Sequence, residues 1–187
     1  MEKVISISKY NRKDHINYYK YHMFHRSKST YFIIFVMLIV IGYSISNTIK
    51  MEDPQQILLS WSLAAFAILM APLLMIIQIN NIVKRESRER KESSDIITIT
   101  KDKIVKNNDK TLGKVVISWH QVDAIHESKD YIYIYTGQNQ GIFMIKKDIT
   151  EGDVKTIRNI AQKCMKPNRK GKIKYKTYPR RIKTDDK

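Results

Sequence analysis

Two long uncharged stretches constrain this chain more than anything else in it. Between Tyr31 and Ile49, and again between Pro54 and Val83, there is no Asp, Glu, Lys or Arg, and Ile57–Ile79 is almost wholly apolar. At about 1.5 Å per residue, helices over 31–49 and 57–79 would reach roughly 28 and 34 Å, against hydrocarbon about 30 Å thick. Core helices of soluble proteins keep a polar face over such lengths, so the sequence predicts a transmembrane hairpin within 31–83. A cleaved signal peptide fits poorly, because polar residues 1–30 come first and no small-residue cleavage site is present.

The loop from Ser46 to Gln56 is too short for a domain, which places both ends of the hairpin on one side. Lys and Arg choose the side. Seven lie in the first thirty residues (Lys3, Lys9, Arg12, Lys13, Lys20, Arg26, Lys28), and Lys84, Arg85, Arg88, Arg90 and Lys91 follow the second span. The loop has Lys50 beside Glu52 and Asp53. The expected location is the inner cell membrane, multi-pass, with both termini cytoplasmic.

The chain has 187 residues and a formal net charge of +16, and residues 166–187 contribute ten Lys/Arg against two Asp. Such a balance points to nucleic acid or an anionic membrane. With a hairpin beside it, the negative inner leaflet is the expected partner, and nucleic acid is not, since no recognition motif accompanies the charge. The single Cys164 excludes an intrachain disulfide and a CxxC metal site and suits a reducing compartment.

Along the chain, Val4–Ser8 alternates with period two, the signature of a short strand. Asp14–Ser29 is aromatic and basic, and as a helix it turns His15, Tyr18, His22 and His25 toward one side. Three histidines suggest zinc, but no carboxylate or Cys lies close in sequence to complete a site. The composition fits an interfacial helix, with Lys20, Arg26 and Lys28 toward lipid phosphate. In the spans, Gly42 with Ser46 and Ala67 with Ala71 have a spacing that lets helices approach, and Pro72 kinks the second helix or frees a carbonyl. No ionisable group lies inside either span, which argues against an ion-coupled transporter or charge-lined channel. Residues 84–94 mix both charge signs and read as a solvated helical extension or linker.

Residues 95–165 change character. Six β-rich runs (96–100, 103–106, 115–119, 122–126, 131–136 and 142–146) are separated by turn residues, including an Asn139-Gln140-Gly141 hairpin loop. Strict alternation in Tyr131–Tyr135 puts Tyr131, Tyr133 and Tyr135 on one face and Ile132 and Ile134 on the other. A helix follows, begun by a capping-box-like Thr150 and Asp153. Its apolar stripe is Val154, Ile157, Ile160, Ala161 and Cys164, with Lys155, Arg158 and Lys163 facing out, and Pro167 ends it. This order predicts an α+β domain: a pleckstrin-homology-like (PH-like) antiparallel sheet or barrel closed by a C-terminal helix. About seventy residues is thin for that fold, so residues 3–8 are expected to add a strand to the sheet.

The stretch Ser118-Trp119-His120-Gln121-Val122-Asp123-Ala124-Ile125-His126-Glu127, followed by Asp130-Tyr131-Ile132-Tyr133-Ile134-Tyr135, resembles the YcxB-like family. The resemblance implies a small bacterial membrane protein with two transmembrane helices and a C-terminal PH-like domain, and no established reaction. The family's Pro-Lys-Arg-like turn after the last strand is matched here by Met144-Ile145-Lys146-Lys147, with the basic pair kept and the proline absent.

Trp119, Tyr131, Tyr133 and Tyr135 are expected to define the fold, with Trp119 in the core. Glu127 and Asp130 read as turn residues, and His120 and His126 as exposed. Lys146, Lys147, Lys170, Lys172, Lys174, Arg180 and Arg181 are the candidate contacts for lipid or a partner. The tail, 166–187, is expected to be disordered in isolation, with Ile173, Tyr175 and Tyr178 available to an inner leaflet. Nothing assembles a nucleophile, a base and oxyanion donors, and there is no Gly-rich phosphate loop. The expectation is a non-catalytic protein without cofactor or metal, binding anionic lipid, a protein partner or a second copy of itself. The competing expectation is an immunity protein that intercepts a membrane-active toxin through its hairpin.

Overall fold

The computed structural model describes residues 2–50, 53–90, 92–110, 113–137, 140–168 and 171–178. The chain divides into two compact units: Arg12–Arg88, and a unit built from the chain on both sides of it.

The first unit is helical, with α1 (Arg12–His25), α2 (Lys28–Lys50) and α3, which starts at Pro54 and runs to Arg90. Helices α2 and α3 have 23 and 37 residues and are long and apolar enough to cross a membrane. Only 11% of the most apolar window of either is buried, and Phe32, Leu59 and Leu69 are 67%, 72% and 71% exposed. Helix α3 continues through Pro72 and takes in most of 84–94, as a helical extension would.

The buried side chains of α2 are Thr30, Ser44 and Asn47, and those of α3 are Ser60 and Ala64 toward its start and Ile79 and Val83 toward its end. The Ser44 hydroxyl lies 2.9 Å from the Ser60 carbonyl, and Trp61 Nε1–H donates to Thr48 Oγ1 at 3.0 Å. The close approach expected at Gly42 is displaced to this hydroxyl seam. Gly42 is exposed, and a Cβ there would meet nothing within 4 Å. A serine can approach nearly as closely as glycine while bonding a carbonyl across the helix pair. Helix α1 is tied to the C-terminal part of α3 through Glu86. His15 Nδ1 lies 2.8 Å from Glu86 Oε2, and the Tyr19 hydroxyl donates to Glu86 Oε1 at 2.6 Å. Residues 84–94 are therefore more than a solvated spacer. His25 Nδ1 lies 3.1 Å from the Tyr21 carbonyl.

The second unit holds β1 (Lys3–Lys9), β2 (Ser94–Thr100), β3 (Lys103–Asn108), β4 (Lys114–Ser118), β5 (Ala124–Glu127), β6 (Tyr131–Tyr135), β7 (Gly141–Ile145), β8 (Ile149–Glu151), α4 (Val154–Cys164) and β9 (Tyr175–Thr177). Among the described residues these form a five-stranded sheet, β4-β3-β2-β1-β8, and a four-stranded one, β7-β6-β5-β9. The barrel alternative is corrected: among the described residues there are two sheets and no closed barrel. The N-terminal strand joins as expected, paired antiparallel with β2 from Lys3 opposite Thr100 to Lys9 opposite Ser94. It is interior to its sheet.

Val4, Ile97, Ile99, Ile104, Ile125, Ile132, Ile134, Met144 and Trp119 meet Ile157, Ile160 and Ala161 of α4 in one core. The alternation of β6 is as read: Ile132 and Ile134 enter that core, while Tyr133 and Tyr135, of opposite parity, are buried too. Tyr131 and Tyr133 stack with centroids 5.9 Å apart. Trp119 sits in a short 3-10 turn (Trp119–Gln121) and donates Nε1–H to the Thr100 carbonyl at 2.8 Å, which satisfies its buried donor. Helix α4 is capped by Asp153, whose carboxylate accepts the Thr156 N–H at 2.7 Å. Thr150 instead turns its hydroxyl to the Ile5 carbonyl, 3.3 Å away.

Gly152 makes the turn into α4 possible. Its φ is +79°, and a Cβ there would stand 2.7 Å from the Lys3 carbonyl oxygen and 2.8 Å from Val4 Cγ2. Gly152→Ala is expected to destabilise the unit by about 2 kcal/mol, read by urea unfolding of the full chain in detergent. Gly137→Ala, where a Cβ meets nothing within 4 Å, is expected to change stability by no more than about 0.5 kcal/mol.

Candidate functional site

The alternation of β5 determines its chemistry. Ile125 faces the core opposite Ile134, and Glu127, two residues on, faces the same way opposite Ile132. A carboxylate thus points inward and is 1% exposed. It is not a turn residue, contrary to the sequence expectation, and His126 beside it is also buried, at 3%.

A buried carboxylate needs partners, and three elements supply them. Arg158 of α4 binds it with two parallel bonds, Nε to Oε2 at 2.8 Å and a terminal guanidinium nitrogen to Oε1 at 2.6 Å. Lys146, in the 3-10 turn Lys146–Asp148 after β7, reaches Oε1 at 2.7 Å. The Tyr175 hydroxyl of β9 donates to Oε2 at 2.8 Å. Burial alone would raise the Glu127 pKa; the hydrogen bonds from Arg158, Lys146 and Tyr175 outweigh it and hold the carboxyl down to about 2. Burial and the same hydrogen bond push the Tyr175 phenol upward, so it remains a donor. Glu127 is therefore a permanently ionised acceptor near neutrality, suited to fixing positions rather than to exchanging protons.

Beside this network runs a groove of about 340 Å³ lined by Arg158, Gln162, Ile173, Tyr175 and Thr177. A cleft of about 500 Å³ is lined by His120, Gln121, Val122, Asp123, Lys166, Pro167, Asn168 and Lys174. Lys174 pairs with Asp123 at 2.7 Å, with half of its side chain exposed.

The candidate contact residues do not form one surface. Lys146 is committed to Glu127 and 21% exposed, while its neighbour Lys147 is exposed. Lys172 is exposed in the turn closed by Asn168 Oδ1, which accepts the Lys172 N–H at 3.1 Å. Lys170, Arg180 and Arg181 lie outside the described residues, as does Asn139. The tail differs from the disorder expected of it at Tyr175–Thr177, which pairs parallel with β5. Composition argues for disorder, but Ile173 and Tyr175 pack against the core and Glu127 takes the tyrosine hydroxyl.

Sequence reasoning missed Glu127, Arg158 and Tyr175 as a set. The signal was present in part. Ile125 and Glu127 share parity, so an inward Ile125 requires an inward carboxylate and a cation to meet it, and Arg158 lies one residue from the apolar stripe.

If the network holds α4 and β9, its loss has a defined pH profile. The folded pKa of Glu127 is depressed, so its contribution is complete above about pH 5 and is lost as pH falls toward 2, amounting to roughly 3 kcal/mol. Urea midpoints of the wild type should fall over that interval, and Glu127→Gln should remove that part of the acid dependence. Arg158→Met, which takes away two of the bonds to a buried charge, is expected to cost about 3 kcal/mol. Lys146→Met takes away one bond and is expected to cost about 1 kcal/mol.

No curated protein and no solved structure shows significant similarity to the chain. Residues 99–161, from the end of β2 to within α4 and including the Glu127, Lys146 and Arg158 partners, match the model of the YcxB-like protein family.

Proposed function

We propose that this is an integral membrane protein of the inner cell membrane whose α2–α3 hairpin crosses twice, with both termini in the cytoplasm. Its β-rich unit acts there as a PH-like module that binds anionic leaflet lipid or a protein partner without catalysis. The pairing of β1 with β2 carries the topology. Tyr10 N–H bonds the Ser93 carbonyl at 2.8 Å, so the chain leaves the β-rich unit for its helices and returns to it at the same place. Crossings between those two points must be even in number. Apolar side chains exposed along α2 and α3 support a lipid surround, and the basic flanks 1–30 and 84–91 support a cytoplasmic side.

The PH-like reading rests on the order of antiparallel strands ending in an amphipathic helix that packs on the core. Lipid binding rests on exposed Lys147, Lys172 and Lys176 together with the charge of the tail. Each Lys or Arg near an anionic surface adds about 1 kcal/mol. Glu127, locked as an acceptor, supports binding over proton chemistry.

Single cysteines placed in a Cys164→Ser background test the topology. In intact cells an impermeant maleimide should label Lys50→Cys and leave Ser8→Cys and Asp102→Cys unlabelled until the membrane is opened. Labelling of Ser8→Cys or Asp102→Cys in intact cells would overturn the topology. In-cell crosslinking of the full chain, followed by mass spectrometry, is expected to recover anionic lipid or one recurrent partner on the β-rich unit. Crosslinks confined to α2 and α3 would instead favour interception of a membrane-active toxin.

A further inference from the structure

The parallel strand β9 is held unlike the others. It is three residues long, lies at the edge of its sheet beside β5, and comes from the most basic part of the chain. Its backbone is tied by the ladder that pairs Tyr175, Lys176 and Thr177 with Ile125, His126 and Glu127, flanked by Ile125 N–H to the Lys174 carbonyl at 3.0 Å and Tyr178 N–H to the Glu127 carbonyl at 2.8 Å. Its polar side-chain ties include two carboxylates, Lys174 to Asp123 at 2.7 Å and Tyr175 to Glu127 at 2.8 Å, and Tyr175 also hydrogen-bonds Arg158. From Lys172 to Tyr178 the segment reads Lys-Ile-Lys-Tyr-Lys-Thr-Tyr. Cations on an aromatic and aliphatic framework are also what an anionic bilayer surface binds. The side chains that dock β9 are those a leaflet would take, and they cannot serve both.

Release would leave no buried charge stranded. Without Tyr175, Glu127 keeps both bonds from Arg158 and the one from Lys146. The Lys174–Asp123 pair is already 50% and 35% exposed, so water can replace either partner. The backbone groups of β5 freed along this edge, Ile125 N–H and the Glu127 carbonyl among them, become edge groups, which water or another strand can satisfy.

We propose that β9 is a releasable strap, for which an anionic lipid surface competes with Asp123 and Glu127 and, by binding Lys172–Tyr178, strips the strand from β5. The proposal rests on the leaflet reading above and adds to it a state of the β-rich unit controlled by headgroup charge. Lys172 and Lys176 are exposed and their side chains are not among the ties just named, so they serve the membrane side of the competition.

The test uses the full chain in nanodiscs of phosphatidylcholine alone or mixed with phosphatidylglycerol. Amide exchange at Ile125 and Tyr178 reports the strand, and broadening of the Tyr175 ring by headgroup-labelled nitroxide lipid reports contact with the leaflet. In the anionic discs, exchange at both amides should rise at least about tenfold while Tyr175 broadens. Tyr175→Phe, which loses the hydroxyl to Glu127, should open at a lower phosphatidylglycerol fraction. Lys172→Glu/Lys176→Glu should stay closed in both discs. Broadening by lipid with Ile125 still protected would overturn the strap and leave leaflet binding intact. Absence of broadening at the tail and at every other basic segment in anionic discs would overturn the leaflet reading, and the strap with it.

Discussion

The hydrogen bonds between β1 and β2 are the constraint on which the rest depends. These strands stand on either side of everything from Tyr10 to Ser93, yet they pair residue for residue over their whole length. Closing so long a loop costs only a little more entropy than closing a shorter one, because the cost grows with the logarithm of length. A full strand pair and burial of Val4, which is 0% exposed, outweigh it. The helical unit is thus an insertion in the β-rich unit rather than a domain placed before it.

Glu127 plays a different part. An apolar side chain at the same place would fill the core comparably, and buried ion pairs seldom add stability over such a replacement. They do add geometry. Arg158 presents its guanidinium edge-on to both carboxylate oxygens, Lys146 shares one of them and Tyr175 the other. Four segments (β5, the 3-10 turn after β7, α4 and β9) are thereby fixed to one side chain, and α4 cannot slide a turn along the sheet without breaking a bidentate contact. Three of these residues fall inside the stretch that matches the YcxB-like family, whereas Tyr175 lies beyond it. The strand that Tyr175 anchors thus lies outside the matched stretch.

Local patterns were legible in the sequence, and long-range pairings less so. The six central strands and α4 came from alternation, turn residues and an apolar stripe, and each is present within a residue or two of where it was read. Strand β1 was legible from its own period-two alternation, but its addition to this sheet followed from a shortage of core. The misreadings share one cause. Glu127 looks like a turn residue and His126 like an exposed one because a charge and an imidazole end a short apolar run, and only the partners at Lys146, Arg158 and Tyr175 allow Glu127 to be buried. Glu86 looked like part of a solvated linker because His15 and Tyr19 lie far away in sequence. The charge density of the tail hid Tyr175–Thr177, whose order depends on an edge strand and a buried acceptor supplied by another part of the chain.

The stretch that carries the family match begins at Ile99 and ends at Ala161, and it is not a complete folding unit. It leaves out β1 and most of β2, and among the described residues β8 is hydrogen-bonded to the rest of its sheet only through β1. Without β1 the five-stranded sheet loses its fourth strand, β8 has no partner, and Gly152 has nothing to pack its close turn against. The core would also be short of Val4, beside Ile97 and Ile99. Strand β1 is synthesised first but has no partner until β2 emerges after the whole of α3. The β-rich unit therefore cannot close before the residues of the helical unit have been synthesised.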